Sequence, residues 1–170
     1  MGPFFRFFLA LPCLLFQYTP PNIPDRRPTM AGASREETYD VPAEKYYAAV
    51  TDYNNYTKIL PEVQSIHVKN KTETTASIEY TVTIIKSFKY TLKMTQKKPT
   101  LVSWDLEDGG LFKKNSGSWT ITPVGENQCK VSYNIDLDLK IFAPKSVTNA
   151  LVAVNLPKMM QQFADHAKTL

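Results

Sequence analysis

The carboxyl-terminal residues 144–170 form the longest segment with helical periodicity, and they constrain what the whole chain can fold into. Their apolar residues fall in two stripes at helical spacing, offset from each other by about 100° of helix rotation. The stripes are Val147, Leu151 and Val154, then Leu156, Met159, Met160, Phe163, Ala167 and Leu170. Pro157 lies where the phase changes, and proline lacks the backbone donor that a helix interior uses. We predict two helical pieces, or one sharply kinked helix, covering a large apolar surface.

The preceding residues, 63–140, predict the apolar surface that this helix covers. In them, apolar side chains recur at every second position. Period-two alternation indicates β-strands with one dry face and one wet face. The predicted strands are residues 63–71, 77–84, 88–95, 102–107, 111–122 and 131–140. Turn residues separate most of these runs, so we predict an antiparallel meander.

Matching the apolar faces of consecutive strands predicts a register, because a one-residue slip would move every side chain to the other face. The same register brings opposite charges together on the wet face, which supports it. The predicted neighbours are Ile78 with Met94, Ile84 with Phe88, Glu79 with Lys93, Met94 with Trp104, Lys93 with Asp105, and Trp119 with Tyr133.

The residues before the meander predict one strand, 35–41, and two short helices. Pro42 fits a first helical turn, and Asp52 is suited to cap the second helix at residues 53–60. The predicted order is strand, two helices, six strands and a long helix. This is an α+β fold in which an antiparallel sheet of about seven strands curls around the carboxyl-terminal helix.

Residues 1–34 differ from the rest and are predicted to be a poorly ordered extension of a single domain at 35–170. Their apolar block is interrupted by Arg6 and Pro12 and is too short to span a bilayer. Residues 31–33 have the small-x-small form of a signal-peptide site, and Met30 is an alternative start. We predict a cytoplasmic protein; export or membrane tethering by residues 1–34 is the alternative, and the choice between Met1 and Met30 stays open.

The composition is that of one globular domain, with 43% hydrophobic and 21% charged residues. The net charge of +4 is scattered, without the stripe of Lys and Arg that phosphate contacts require, so nucleic acid is not a predicted partner. Cys13 and Cys129 form neither a disulfide framework nor a metal motif, and we expect two unpaired thiols.

No constellation of residues predicts catalysis. His67 and His166 are the two histidines, and neither has an acid or a cysteine at metal-ligand spacing. Asp105 and Glu107 share one face of a strand, but the register makes it the wet face, which does not suit buried acid–base work. We therefore predict no catalytic residue, no metal and no cofactor, and the protein is not predicted to be an enzyme.

Several short segments together resemble the START/Bet v 1-like (SRPBCC) superfamily, and in particular its polyketide cyclase/dehydrase and coenzyme Q-binding branch. The resemblance covers residues 36–170. The segments are Asp-Val-Pro-Ala-Glu-Lys-Tyr-Tyr at 40–47, Thr-Asp-Tyr at 51–53, Leu-Pro-Glu-Val at 60–63, Trp-Asp-Leu at 104–106, Gly-Ser-Trp at 117–119 and Leu-Pro-Lys-Met-Met at 156–160. The resemblance implies a helix-grip fold that holds an apolar ligand between the sheet and the helix.

The predicted lining of that ligand site comes from the dry face of the sheet and from the last helix. It is Ile78, Tyr80, Val82, Tyr90, Leu92, Met94, Trp104, Leu106, Trp119, Tyr133, Ile135 and Leu137 from the sheet, with Val147, Leu151, Val154, Met159 and Phe163 from the helix. Tyrosine and tryptophan add polar groups to an apolar wall, a composition typical of small-molecule sites.

The predicted function is non-catalytic binding or transport of a small hydrophobic ligand, a lipid or an isoprenoid quinone. A polyketide cyclase/dehydrase-type enzyme and a protein-binding role like that of ribosome-association toxins are the alternatives. The apolar residues Ile141, Phe142 and Ala143 lie between Lys140 and Lys145, which suits transient contact with a membrane surface. The oligomeric state is left open.

Overall fold

The computed structural model describes residues 31–83, 87–140 and 145–170, with the backbone alone at residues 31 and 145–154. Within these ranges the chain forms seven strands and three α-helices, and a 3-10 turn, Tyr53–Asn55, precedes the second helix. The elements are β1 Ala31–Tyr39, α1 Ala43–Thr51, α2 Tyr56–Ile59, β2 Val63–Lys69, β3 Thr75–Thr83, β4 Ser87–Lys97, β5 Leu101–Asp108, β6 Phe112–Gly125, β7 Gln128–Leu139 and α3 Lys145–Ala167.

All seven strands belong to one curved antiparallel sheet with the order β1-β7-β6-β5-β4-β3-β2. Strands β2 to β7 are therefore a meander, and β1 closes the order by pairing with β7. The predicted α+β class, strand number and element order are confirmed. Strand β1 begins at Ala31 rather than at residue 35, while the predicted extension at 1–34 lies mostly outside the described residues and stays a prediction.

The predicted register is confirmed for the second half of the meander and wrong for its first hairpin. Met94 pairs with Trp104, Lys93 with Asp105, and Trp119 with Tyr133, as predicted. In the first hairpin, however, Ile78 pairs with Leu92 instead of Met94, Val82 takes the predicted place of Ile84 beside Phe88, and Glu79 pairs with Thr91 instead of Lys93. The two registers differ by two residues and keep the same faces, so alternation alone cannot choose between them.

The short helices differ from prediction in the contact that Asp52 makes. Pro42 stands at the N-cap of α1, but the Asp52 carboxylate caps no backbone group of the next helix. Instead it accepts hydrogen bonds from Asn55 Nδ2 at 2.8 Å and lies 3.0 Å from Nε2 of His166 near the end of α3. Asp52 therefore ties α1 to the last turn of α3.

The last helix, α3, continues through Pro157 as one element, so the alternative of two separate helical pieces is wrong, and the predicted kink stays a prediction. The second apolar stripe is confirmed by burial of Leu156, Met160, Phe163 and Ala167. Leu170, by contrast, is 51% exposed, because α3 ends at Ala167 before the stripe is complete. The first stripe lies among the side chains outside the described residues.

Candidate functional site

One half of the sheet's inner face is tightly packed, and we call it the closed half. It contains Val102, Trp119, Ile121 and Val131, with Phe163 of α3 resting on Trp119. None of these five side chains is more than 4% exposed. Helix α1 completes the cover, since the Tyr46 ring lies 6.1 Å from Trp119 and its hydroxyl donates to the carbonyl oxygen of Met160 at 3.1 Å. The closed half is protein core.

The other half of the inner face, which we call the open half, is apolar but only half-buried. It contains Tyr90, Leu106, Phe112, Ile135 and Leu137. Because α3 follows β7 in the chain, its first turns start from the end of the sheet where the open half lies. The described side chains leave this apolar surface partly exposed. Covering it with a further apolar group would be favourable.

Aromatic rings connect the two halves. Trp104 and Trp119 both contact Tyr133, with ring centroids 5.5 Å and 4.5 Å away. Elsewhere on the same inner face, the Tyr80 ring stacks on Tyr90 at 5.2 Å, and the Tyr90 ring meets Phe112 edge-on at 5.1 Å. Rings at these distances attract each other beyond the effect of burial and keep the wall of the open half in place.

A buried amide interrupts the apolar wall. Asn115 of β6 is 5% exposed, and its Oδ1 accepts a hydrogen bond from Trp104 Nε1 at 2.9 Å. Sequence reasoning missed this residue because an isolated Asn does not look apolar. The available signal was its position, two residues before Gly117 and four before the inward-facing Trp119.

The tyrosine hydroxyls of the wall stay protonated at neutral pH. Burial raises the pKa of Tyr80, Tyr90 and Tyr133 well above the ordinary value for a phenol. Within the described strands β3 to β7, none of the buried or half-buried inner-face side chains is charged. The wall therefore offers neutral hydrogen-bonding groups and apolar surface.

The predicted ligand residues divide between these regions, and their role in binding stays a prediction. Nine are buried: Ile78, Tyr80, Val82, Leu92, Met94, Trp104, Trp119, Tyr133 and Phe163. Five are half-buried: Tyr90, Leu106, Ile135, Leu137 and Met159. The side chains of Val147, Leu151 and Val154 lie outside the described residues.

The histidines and acids stand apart from the open half. His67 is exposed on edge strand β2, Asp105 and Glu107 are exposed on the outer face, and His166 contacts Asp52 beyond the closed half. Among residues 31–83, 87–140 and 145–170, no three His, Cys, Asp or Glu side chains are grouped to hold a metal ion. Cys129 is buried without a disulfide partner, and burial raises its pKa to about 11, while Cys13 lies outside the described residues.

A depression of about 450 Å³ lies on the outer face of the sheet, at strands β1, β6 and β7. Its lining combines the polar side chains of Ser34, Ser116, Asn134 and Asp136 with Gly32, Ala33, Gly117 and Ile135. The polar side chains point away from the inner face, because each is one residue out of phase with an inward-facing neighbour. Ile135, which belongs to the open half, also contributes to this lining, so the two regions adjoin at β7.

Comparison with known proteins adds three findings. The ribosome association toxin RatA of Escherichia coli K12 is 25% identical over 138 residues, which are 79% of this chain and 80% of that protein. The mitochondrial coenzyme Q-binding protein COQ10 of Drosophila melanogaster is 22% identical over 143 residues, 79% of this chain and 57% of that protein. The crystal structure of the ZhuI aromatase/cyclase from Streptomyces sp. R1128 superposes with a TM-score of 0.74 at 12% identity, covering 82% of this chain and 94% of that one.

The described helices include none that is both long and apolar enough to cross a membrane. Residues 39–164 match the family described as polyketide cyclase / dehydrase and lipid transport. That match spans most of the chain, and the sheet order and closing helix agree with the fold of START/Bet v 1-like proteins. The chain belongs to the polyketide cyclase/dehydrase and lipid transport family, and it has the helix-grip fold that its sequence resembles.

Proposed function

We propose that this protein binds a small hydrophobic ligand, a lipid or an isoprenoid quinone, against the open half and does not convert it chemically. The observation that carries the proposal is the half-buried apolar wall of Tyr90, Leu106, Phe112, Ile135 and Leu137 beside a fully packed core. Each ligand methylene buried there contributes about 0.8 kcal/mol. The family description includes lipid transport, and one relative is named for binding coenzyme Q.

Binding without conversion is favoured by the chemistry of the wall. A general acid or base near neutral pH needs a group that titrates there, and the raised pKa values of the wall tyrosines keep them protonated. The carboxylates of Asp105 and Glu107 are exposed on the opposite face. At 12% identity, the likeness to ZhuI supports no argument about activity.

The test is organic extraction of the purified protein followed by mass spectrometry. A matched variant, Leu137→Trp, fills part of the open half with a larger side chain while leaving the closed half intact. We expect an apolar compound to co-purify with the native protein and to fall at least tenfold in the variant, with little change in the free energy of unfolding. The absence of any extractable compound, together with failure to bind added octylbenzene, would overturn the proposal.

Ligand exchange at a membrane surface is part of the proposal, through residues 141–143 and the flanking Lys140 and Lys145. Residues 141–143 lie outside the described part of the chain, and their sequence, an apolar run between two lysines, supports this step. Vesicles containing anionic lipid should retain the native protein, and replacing Phe142 and both lysines should release it. Equal binding by the native and substituted proteins would contradict this step.

A ribosome-binding role is the second candidate. It is favoured by the similarity to RatA, which extends over 80% of that protein. Sedimentation of the purified protein with ribosomal subunits in a sucrose gradient tests it directly. Co-sedimentation that persists after the Leu137→Trp substitution would assign the two activities to different surfaces.

A further inference from the structure

We propose that Asn115 is a specificity-determining residue that selects ligands carrying a neutral carbonyl oxygen. This inference rests on the proposed function and names the class of ligand that the open half accepts. It follows from the orientation of one amide, the surroundings of its nitrogen, and the absence of charge on the adjacent wall.

The orientation of the Asn115 amide is determined by Trp104. An indole N–H can only donate a hydrogen bond, so the atom 2.9 Å from Trp104 Nε1 must be the amide oxygen. Both N–H groups of the amide consequently point away from Trp104. Gly117 leaves room for the indole in this position. A Cβ there would overlap the Trp104 ring and the carbonyl oxygen of Asn134.

The amide nitrogen of Asn115 has no acceptor among the described residues, yet it is not sealed in the core. In the described part of the chain, Thr81 Oγ1 is the side-chain polar atom that is both fully buried and without a partner. The nitrogen of Asn115 therefore keeps a small accessible surface, although the residue as a whole is 5% exposed. Leu137, directly opposite on β7, is half-buried and belongs to the open half.

Two N–H donors in an apolar wall favour a specific chemistry. An apolar ligand would leave such a donor desolvated and unpaired, which is unfavourable, whereas a ligand carbonyl oxygen accepts the hydrogen bond. An anionic group would lose its hydration without gaining a cation, because the adjacent inner-face side chains are uncharged. The rings of Trp104 and Tyr133, with centroids 5.5 Å apart, form apolar wall beside this amide, so a neutral carbonyl-bearing group is the best match.

The test compares octanophenone with octylbenzene, two ligands that differ only by a carbonyl in place of a methylene. Isothermal titration gives the affinity ratio of the two ligands for the native protein and for Asn115→Leu, which keeps the branched shape of the side chain. We expect the ratio of octanophenone to octylbenzene affinity to fall about tenfold in the variant, mostly through weaker octanophenone binding. Using a ratio cancels the difference in hydration between the ligands.

The outcomes separate the two proposals. An unchanged ratio, with both ligands bound, would overturn the role of Asn115 while leaving the hydrophobic-ligand proposal standing. Failure of both ligands to bind the native protein would overturn the proposed function itself.

A second measurement on the native protein covers the case in which Asn115→Leu does not fold. The side-chain amide protons of Asn115 should move downfield in the NMR spectrum when octanophenone is added, because they gain a hydrogen bond, and should not move downfield with octylbenzene. Equal responses to the two ligands would contradict the proposal. A Trp104→Phe variant, which frees the amide to rotate, should reduce the carbonyl preference without abolishing binding.

Discussion

The closed and open halves of the inner face are built from the same alternating strands, but they are filled in different ways. In the closed half, Trp119 meets Tyr46, Tyr133 and Phe163, and each of these rings is at least nine-tenths buried. In the open half, Leu106 and Leu137 remain half-buried at the end of the sheet where α3 begins. One sheet therefore forms both the core that stabilises this protein and the surface that we propose binds its ligand.

The largest expected effect on stability comes from truncating the closed half. Phe163→Ala should lower the free energy of unfolding by about 3–5 kcal/mol, because a side chain only 1% exposed leaves a cavity between Trp119 and Tyr56. Leu137→Ala in the open half is the matched control and should cost less than about 2 kcal/mol. Urea unfolding followed by circular dichroism measures both. Equal losses would mean that the two halves do not differ in packing.

A smaller effect is expected where the sheet supports the wall. Gly117→Ala should destabilise the protein by about 1–3 kcal/mol, because the added methyl group overlaps the Trp104 ring and the backbone of Asn134. Gly125→Ala is the control, since a Cβ there has no atom within 4 Å, and it should change stability by less than about 0.5 kcal/mol. If Gly117→Ala left both the unfolding curve and octanophenone binding unaltered, the close contact between Trp104 and β6 would be refuted.

The smallest expected effect is pH-dependent and lies beyond the closed half. Burial opposes ionisation of Asp52, but hydrogen bonds from His166 and Asn55 outweigh it and hold the pKa of Asp52 below its ordinary value. A lowered folded-state pKa stabilises the fold above the unfolded value of about 3.9, and that stabilisation is lost as the pH falls through the folded-state pKa. Asp52→Asn should therefore cost about 1 kcal/mol at pH 6, and the difference from native should shrink towards pH 3.

Chemical unfolding of native and Asp52→Asn proteins across that pH range tests the contact. Asp105→Asn, which removes an exposed carboxylate from the outer face, is the control and should change stability little. A constant difference between native and Asp52→Asn proteins at all pH values would show that ionisation of Asp52 does not stabilise the fold.

Much of the fold could be predicted from the sequence because the sheet is amphipathic along its whole length. Alternation assigned Trp104, Trp119 and Tyr133 to one face, and their register followed from matching that face across strands. The first hairpin was misregistered because a two-residue shift changes neither face. The bond between Asp52 and His166 joins residues 114 positions apart, which local patterns do not encode.

The candidate site was only partly predictable for a related reason. Alternation identifies which side chains face inward, but burial decides which of them are core, and burial depends on where α1 and α3 come to lie. Phe163 and Leu137 were therefore grouped together, although one is core and the other is half-buried. Asn115 was missed because its importance comes from the hydrogen bond with Trp104, which only the folded arrangement reveals.

Methyl NMR spectroscopy during a titration with octylbenzene tests the difference between the two halves most directly. With isotope-labelled Leu, Ile and Val, we expect the methyl signals of Leu106, Ile135 and Leu137 to shift and to show contacts to the ligand. The methyl signals of Val102, Ile121 and Val131 should stay in place. Shifts of equal size in both groups, or no shift in either, would contradict the claim that the open half binds a hydrophobic ligand while the closed half is core.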